Sequence, residues 1–139
     1  MTIGYRYCGL ALASDWPLPS LPLADWPGAA PNSASDPEPD LEIVLGSVPR
    51  LLPDEQRRTA TFAHNGREAL WWLDGIGRCL ITAGGRQIRA EPAPDGDADG
   101  LGLLLLHPLM ALAAVRRGDW MLNAAAVARN GQVFAFIGP

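Results

Sequence analysis

Three closely spaced turn signals constrain this chain more than any other feature. Asn65-Gly66, Asp74-Gly75-Ile76-Gly77 and Gly84-Gly85 divide the sequence into strand-like runs at residues 59–64, 67–73, 78–83 and 86–91. Asn-Gly between two such runs is a strong hairpin signal, because both central positions of a type I′ turn need positive φ. Four runs joined by three short turns predict an antiparallel meander. Trp71 and Trp72 point to opposite faces of a strand, so at least one face of that sheet should be covered by something other than water.

The flanks extend this pattern. Residues 3–12 read as one strand with Gly4 and Gly9 as bulges, and residues 41–48 as a second. Between them, residues 16–39 hold seven of the thirteen prolines, and Asp-Trp-Pro occurs at 15–17 and 25–27. Proline removes amide donors and favours extended backbone, which predicts a connector pinned to the core by Trp16, Leu18, Leu21 and Trp26. The same Trp and Pro content offers a surface to a peptide, and residues 32–40 are expected to be mobile. Residues 92–100 read as a loop and 103–117 as a helix that Pro108 kinks or restarts. Arg116 and Arg117 suit the negative end of that helix, and Gly118 its C′ position. Residues 121–129 and 132–137 flank Asn130-Gly131, a second type I′ candidate. Residues 133–137 are apolar on both faces, the pattern of a central strand in a covered sheet, and lead to Gly138-Pro139.

Composition narrows the chemistry. A chain of 139 residues can bury about two thirds of its unfolded surface, so a core needs no metal or disulfide. All eleven basic residues are Arg, so no lysine is present to form a Schiff base or grip a nucleotide phosphate. A net charge of −4 without a basic run argues against nucleic acid as a partner. Cys8, Cys79, His64 and His107 lack zinc-ligand spacing, and the two cysteines read as apolar residues in a reducing cytosol. Asp95-Gly-Asp97-Ala-Asp99-Gly100 imitates half a calcium loop, but Leu106 stands where the bidentate Glu belongs, so no metal site is assigned. Residues 101–115 are shorter than the ~20 apolar residues a bilayer needs. The N-terminus lacks the pattern of a signal peptide. These readings predict a cytoplasmic protein with no membrane partner.

No catalytic constellation stands out. Ser14, Ser20, Ser33, Ser35 and Ser47 have no nucleophile-elbow context near either histidine. His107 on an apolar helix reads as a core histidine, His64 as an exposed one, and the carboxylates as solvated turn charges. The remaining hint is at the C-terminus, where an apolar strand reaches Gly138 as a strand reaches the phosphate loop G-x-x-x-x-G-K-[ST].

The run from Leu109 through Arg117-Gly118 to NAAAVARNGQVFAFIGP resembles the approach to the kinase core of HPr serine kinase-like proteins. There a helix ending in Arg-Gly leads to a Leu-His-Ala-Ser-Ala-Val strand, a hairpin, and a strand running into the Walker A loop. The opening YRYCGLALASDWPLPSLP is similar to that of small HPr kinase-related proteins found beside peptide-modification genes, including lasso-peptide clusters. The likeness spans the chain in outline, with specific wording in about the first 20 and last 30 residues. It implies an α+β fold: an antiparallel β-meander accessory domain (1–98), then a helix and a β-hairpin (99–139) that would enter a P-loop kinase core. It further implies ATP and Mg as cofactors, Gly138 and Pro139 as the start of the nucleotide-binding loop, and a small phosphoacceptor protein or precursor peptide as partner. Asn123 and Ala125 depart from the usual His and Ser. The glycine-lysine core, the magnesium-binding carboxylates and the catalytic base would lie past Pro139. This chain alone is therefore expected to be inactive and to bind no ATP, and residues 132–137 are expected to self-associate. The reading from another class is a non-catalytic β-sheet module that binds a peptide or protein through its Trp/Pro surface.

Overall fold

The computed structural model describes residues 2–7, 10–21, 23, 38–122 and 124–137. It is a mixed α+β structure: a large, mostly antiparallel sheet, one helix and a separate two-stranded hairpin. Among the described residues the sheet has eight strands: β1 (Ile3–Tyr7), β2 (Leu10–Ser14), β3 (Leu41–Leu45), β4 (Arg57–Arg58), β5 (Phe62–His64), β6 (Ala69–Leu73), β7 (Gly77–Ile81) and β8 (Gln87–Pro92). Their order is β1-β2-β3-β8-β7-β6-β5-β4.

The meander from β5 to β8 forms as its turn residues predict, with the chain reversing at 65–68, 74–76 and 82–86. The first turn differs in type. Gly66 has φ 82°, but Asn65 does not take positive φ. Instead the Asn65 carboxamide oxygen accepts the N–H groups of Arg67 and Glu68, at 3.0 and 2.8 Å. His64 pairs with Ala69, so the loop has four residues rather than two. An Asx turn has replaced the type I′ turn, since the side chain supplies the acceptor locally.

Residues 3–12 are not one strand. Ile3–Tyr7 and Leu10–Ser14 pair antiparallel with Tyr7 opposite Leu10; Cys8 and Gly9 lie outside the described residues. The bulge expected at Gly4 does not form: Gly4 is an ordinary paired strand residue opposite Ala13. β3 lies parallel to both β2 and β8, so the rest of the meander is looped out between two neighbouring parallel strands. Periodicity sets which face a residue takes but not which strand lies beside it, so this pairing was not legible in the sequence.

Two apolar layers cover the sheet. On one face Leu12, Leu41, Ile43, Ile81 and Ile88 form a core with the helix, joined by Trp71. On the other, Ala63, Leu70 and Leu80 pack under Val48 and Leu52, joined by Trp72. The two tryptophans do serve opposite faces. Arg58 lies over the Trp72 ring at 4.7 Å, adding a cation to the second layer.

The helix, α1 (Ala98–Arg116), begins five residues before the expected start. Asp97 takes the extended N-cap conformation and Asp99 sits in the first turn, where carboxylates favour helix starts. Pro108 does not end it. The chain widens into a π segment over Leu105–Leu109, which accommodates a residue that has no N–H to donate. Leu101, Leu104, Leu105, Leu109, Met110 and Ala113 recur at helical spacing and enter the main core. Each large aliphatic side chain so buried contributes about 1.5–3 kcal/mol. With 19 residues and mean hydropathy 1.7, α1 is longer than the apolar run read from sequence and could cross a bilayer by length and composition. Its apolar stripe is occupied by the sheet, as in a core helix. At its end, the Gly118 N–H bonds to the Val115 carbonyl and the Asp119 N–H to that of Ala114, with Gly118 at φ 91°. This is the Schellman closure expected there.

The hairpin comprises β9 (Ala124–Arg129) and β10 (Gln132–Ile137). Asn130 and Gly131 have φ of 51° and 74°, so this Asn-Gly does form a type I′ turn. The expectation that β10 is a central strand of a covered sheet is not met. Among the described residues β10 pairs only with β9, and every residue of both strands is exposed.

Candidate functional site

Three regions have the shape or chemistry to engage something else. The first is a recess of about 380 Å³ between the end of α1 and the turn before β8, lined by Asp40, Gly84, Arg86, Arg116, Arg117 and Asp119. The chain comes this close because Gly85, at φ 67°, lets the turn touch the last turns of the helix. Arg116 Nη1 and Nη2 donate to the carbonyls of Arg67 and Glu68, at 2.8 and 3.2 Å. Arg117 Nη1 donates to the Asp40 carbonyl at 3.1 Å, and Nη2 pairs with the Asp119 carboxylate at 2.8 Å. Burial lowers the pKa of Arg116, and the Glu68 charge partly offsets this. Its Nε is buried without a hydrogen-bond partner. Of the three guanidiniums in the recess, two are thus already spent on backbone and carboxylate oxygens. Their arrangement ties the helix end to the sheet and leaves Arg86 as the cation open to an anion.

Sequence reasoning placed Arg116 and Arg117 as cations at a helix end but missed their reach to residues 40, 67 and 68. The pair Gly84-Gly85 was the available signal, because glycine there marks close approach as well as a turn.

The second region is a groove of about 300 Å³ between the start of the connector and the N-terminal half of α1. Trp16, Pro17 and Pro19 form one wall, and Asp99, Leu103 and Leu106 the other. The described start of the connector, residues 16–21, is held by three of the four residues expected to pin it. Leu18 is fully buried, its N–H donates to the Tyr5 hydroxyl at 2.9 Å, and Trp16 and Leu21 pack on the core. Trp26 and residues 32–37 lie outside the described residues. Ser14 is buried, its hydroxyl donating to the Trp16 carbonyl at 2.7 Å and accepting the Trp16 N–H at 3.1 Å. That hydroxyl is committed to shaping the turn and is no nucleophile.

The third region is the hairpin with the segment leading to it. Trp120 is 92% exposed, and Val133, Phe134, Phe136 and Ile137 are between 53% and 69% exposed. No larger run of uncovered apolar side chains exists among the described residues. Gly138 and Pro139, the residues assigned to a nucleotide-binding loop, lie outside the described residues, as does Asn123. Ala125 is exposed on β9.

The remaining candidates disperse. His107 faces solvent rather than the core, because it falls on the helix side opposite Leu105 and Leu109. His64 is half-buried beside Phe62, not fully exposed, with ring centroids 5.8 Å apart. Cys79 is buried, and burial pushes its thiol up to about 12. Ser33 and Ser35 lie outside the described residues. Among the described residues no three His, Cys, Asp or Glu side chains gather where they could hold a metal ion. Comparison with protein-family models, curated proteins and solved structures returned no match.

Proposed function

We propose that residues 1–139 are the N-terminal portion of an HPr kinase-like, ATP-dependent serine kinase acting on a small protein or precursor peptide. The observation that carries this reading is β10: an uncharged strand, apolar and exposed on both faces, directed toward Gly138-Pro139. A strand of that composition needs cover on both faces, and the core of a P-loop domain provides it. In this reading the eight-stranded sheet and α1 form an accessory domain, and β9 and β10 lead into the phosphate loop. Phosphoryl transfer depends on a phosphate cradle, a lysine and magnesium-holding carboxylates. Residues 1–139 contain no lysine, so in this reading the chain alone carries no phosphoryl-transfer activity; the reading takes the protein to be cytoplasmic.

A second reading, favoured by the Trp16–Pro19 groove beside α1, is a non-catalytic module that holds a peptide or protein there. Reading the coding sequence past codon 139 separates the two. The kinase reading expects a continuing frame that completes G-x-x-x-x-G-K-[ST] from Gly138, whose product transfers the γ-phosphate of ATP to serine. A stop codon after Pro139 overturns it and leaves the module.

A further inference from the structure

We infer that two copies of this chain join edge to edge through β10, antiparallel, about a twofold axis at Ala135. The inference concerns residues 1–139 by themselves and does not rest on the kinase reading, in which a P-loop core would take the same strand instead.

The main sheet guards its edges and the hairpin does not. At one edge of the main sheet, β4 is two residues long and both are Arg. At the other, Leu23 bridges to Tyr5 of β1. Short, charged or covered edges are how sheets avoid pairing with other chains. β10 has six residues with no charge, no proline and no bulge, and no described residue pairs with its outer edge. The outer edge of β9 is the poorer template, because four of its six residues are alanine, a weak strand former, and it ends in Arg129.

The second copy is favoured because the strand is complementary to itself. A twofold axis normal to a sheet pairs residues on the same face, so the register must centre on one residue. Centred on Ala135, it sets Phe134 opposite Phe136 on one face, Val133 opposite Ile137 on the other, and Ala135 opposite its own copy. Aromatic and β-branched pairs of this kind stabilise antiparallel strands, and the small central residue permits close approach. The backbone agrees. A two-residue turn closes on a hydrogen-bonded Arg129–Gln132 pair, so Gln132, Phe134 and Phe136 direct their N–H and C=O groups to β9. Val133, Ala135 and Ile137 direct theirs to the free edge, and this register pairs all of them with the partner copy.

Sedimentation equilibrium of the 139-residue chain is expected to show a reversible monomer–dimer equilibrium. Val133→Glu or Ile137→Lys alone sets a charge against an apolar residue and weakens the dimer about tenfold or more. The double variant Val133→Glu/Ile137→Lys sets opposite charges against each other across the axis and restores it. Ala135→Pro removes a bonding N–H on the axis and abolishes it. The unfolding midpoint of the main sheet serves as the folding control, since the hairpin contributes nothing to either core. A monomer at all concentrations overturns the inference. So does a dimer insensitive to these variants, a double variant weaker than both singles, or open-ended growth through β9.

Discussion

At the scale of residues, the glycines and one ion pair make the sharpest statements. A Cβ on Gly85 would run into the Ala113 carbonyl oxygen, in a backbone conformation that L-residues disfavour. Gly85→Ala is expected to destabilise the fold by about 2–4 kcal/mol, read as a lower denaturation midpoint. Gly84 has similar φ but open space around it, so Gly84→Ala should cost less, about 1 kcal/mol. The hydrogen bond from Arg58, with a second from the Leu52 N–H, lowers the Glu55 carboxyl from 4.5 to about 2. A depressed carboxyl pKa contributes stability that is fully present above the unfolded value and disappears as pH falls through the folded one. The unfolding midpoint should therefore decline between pH 4.5 and about 2, and Glu55→Gln should flatten that part of the curve. Cys79 belongs at this scale too. With its thiol at about 12 and no exposed surface, it offers no thiolate at pH 8. In a Cys8→Ser background a thiol reagent should modify Cys79 only as the denaturant midpoint is approached.

At the scale of elements, the two Asn-Gly dipeptides share a sequence and differ in conformation. Asn130-Gly131 joins strands in direct register through two residues, so both must take positive φ. Asn65-Gly66 opens a four-residue loop, where the Asn side chain takes over as acceptor. Dipeptide chemistry announces a reversal, and the strands on either side decide its length. Gly66→Val is expected to lower the stability of the main sheet by about 1 kcal/mol or more, because Gly66 has positive φ inside the meander. The same change at Gly131 should leave that midpoint unmoved, since the hairpin lies outside both cores. Chemical denaturation followed by far-UV circular dichroism distinguishes them. The helix carries the same lesson. Capping chemistry at Gly118 marks its end, while Asp97 and Asp99, which read as loop residues, form its N-cap and first turn.

At the scale of the whole molecule, the charge and the apolar surface are unevenly placed. The acidic side chains Asp95, Asp97 and Asp99 lie near the start of α1, and Arg86, Arg116 and Arg117 near its end. The uncovered apolar surface is concentrated beyond residue 119. Removing residues 120–139 should leave the unfolding free energy within about 0.5 kcal/mol of the intact chain, while dye binding to exposed apolar surface falls. A large loss of stability would show that the hairpin is part of the core.

The sequence by itself determined the meander, the opposite faces of Trp71 and Trp72, the anchoring of the connector's first residues through Trp16, Leu18 and Leu21, the cap at Gly118 and the type I′ hairpin. Each depends on neighbours a few residues apart, where turn chemistry and period-two alternation act directly. Only the tertiary structure decided that β3 lies parallel between β2 and β8, that residues 3–12 fold back on themselves, and that Arg116 and Arg117 reach residues 40, 67 and 68. It also decided that β10 stands uncovered. An apolar strand states that it needs cover, but what supplies that cover is a matter of which surfaces meet, and that is set by packing across the chain rather than along it.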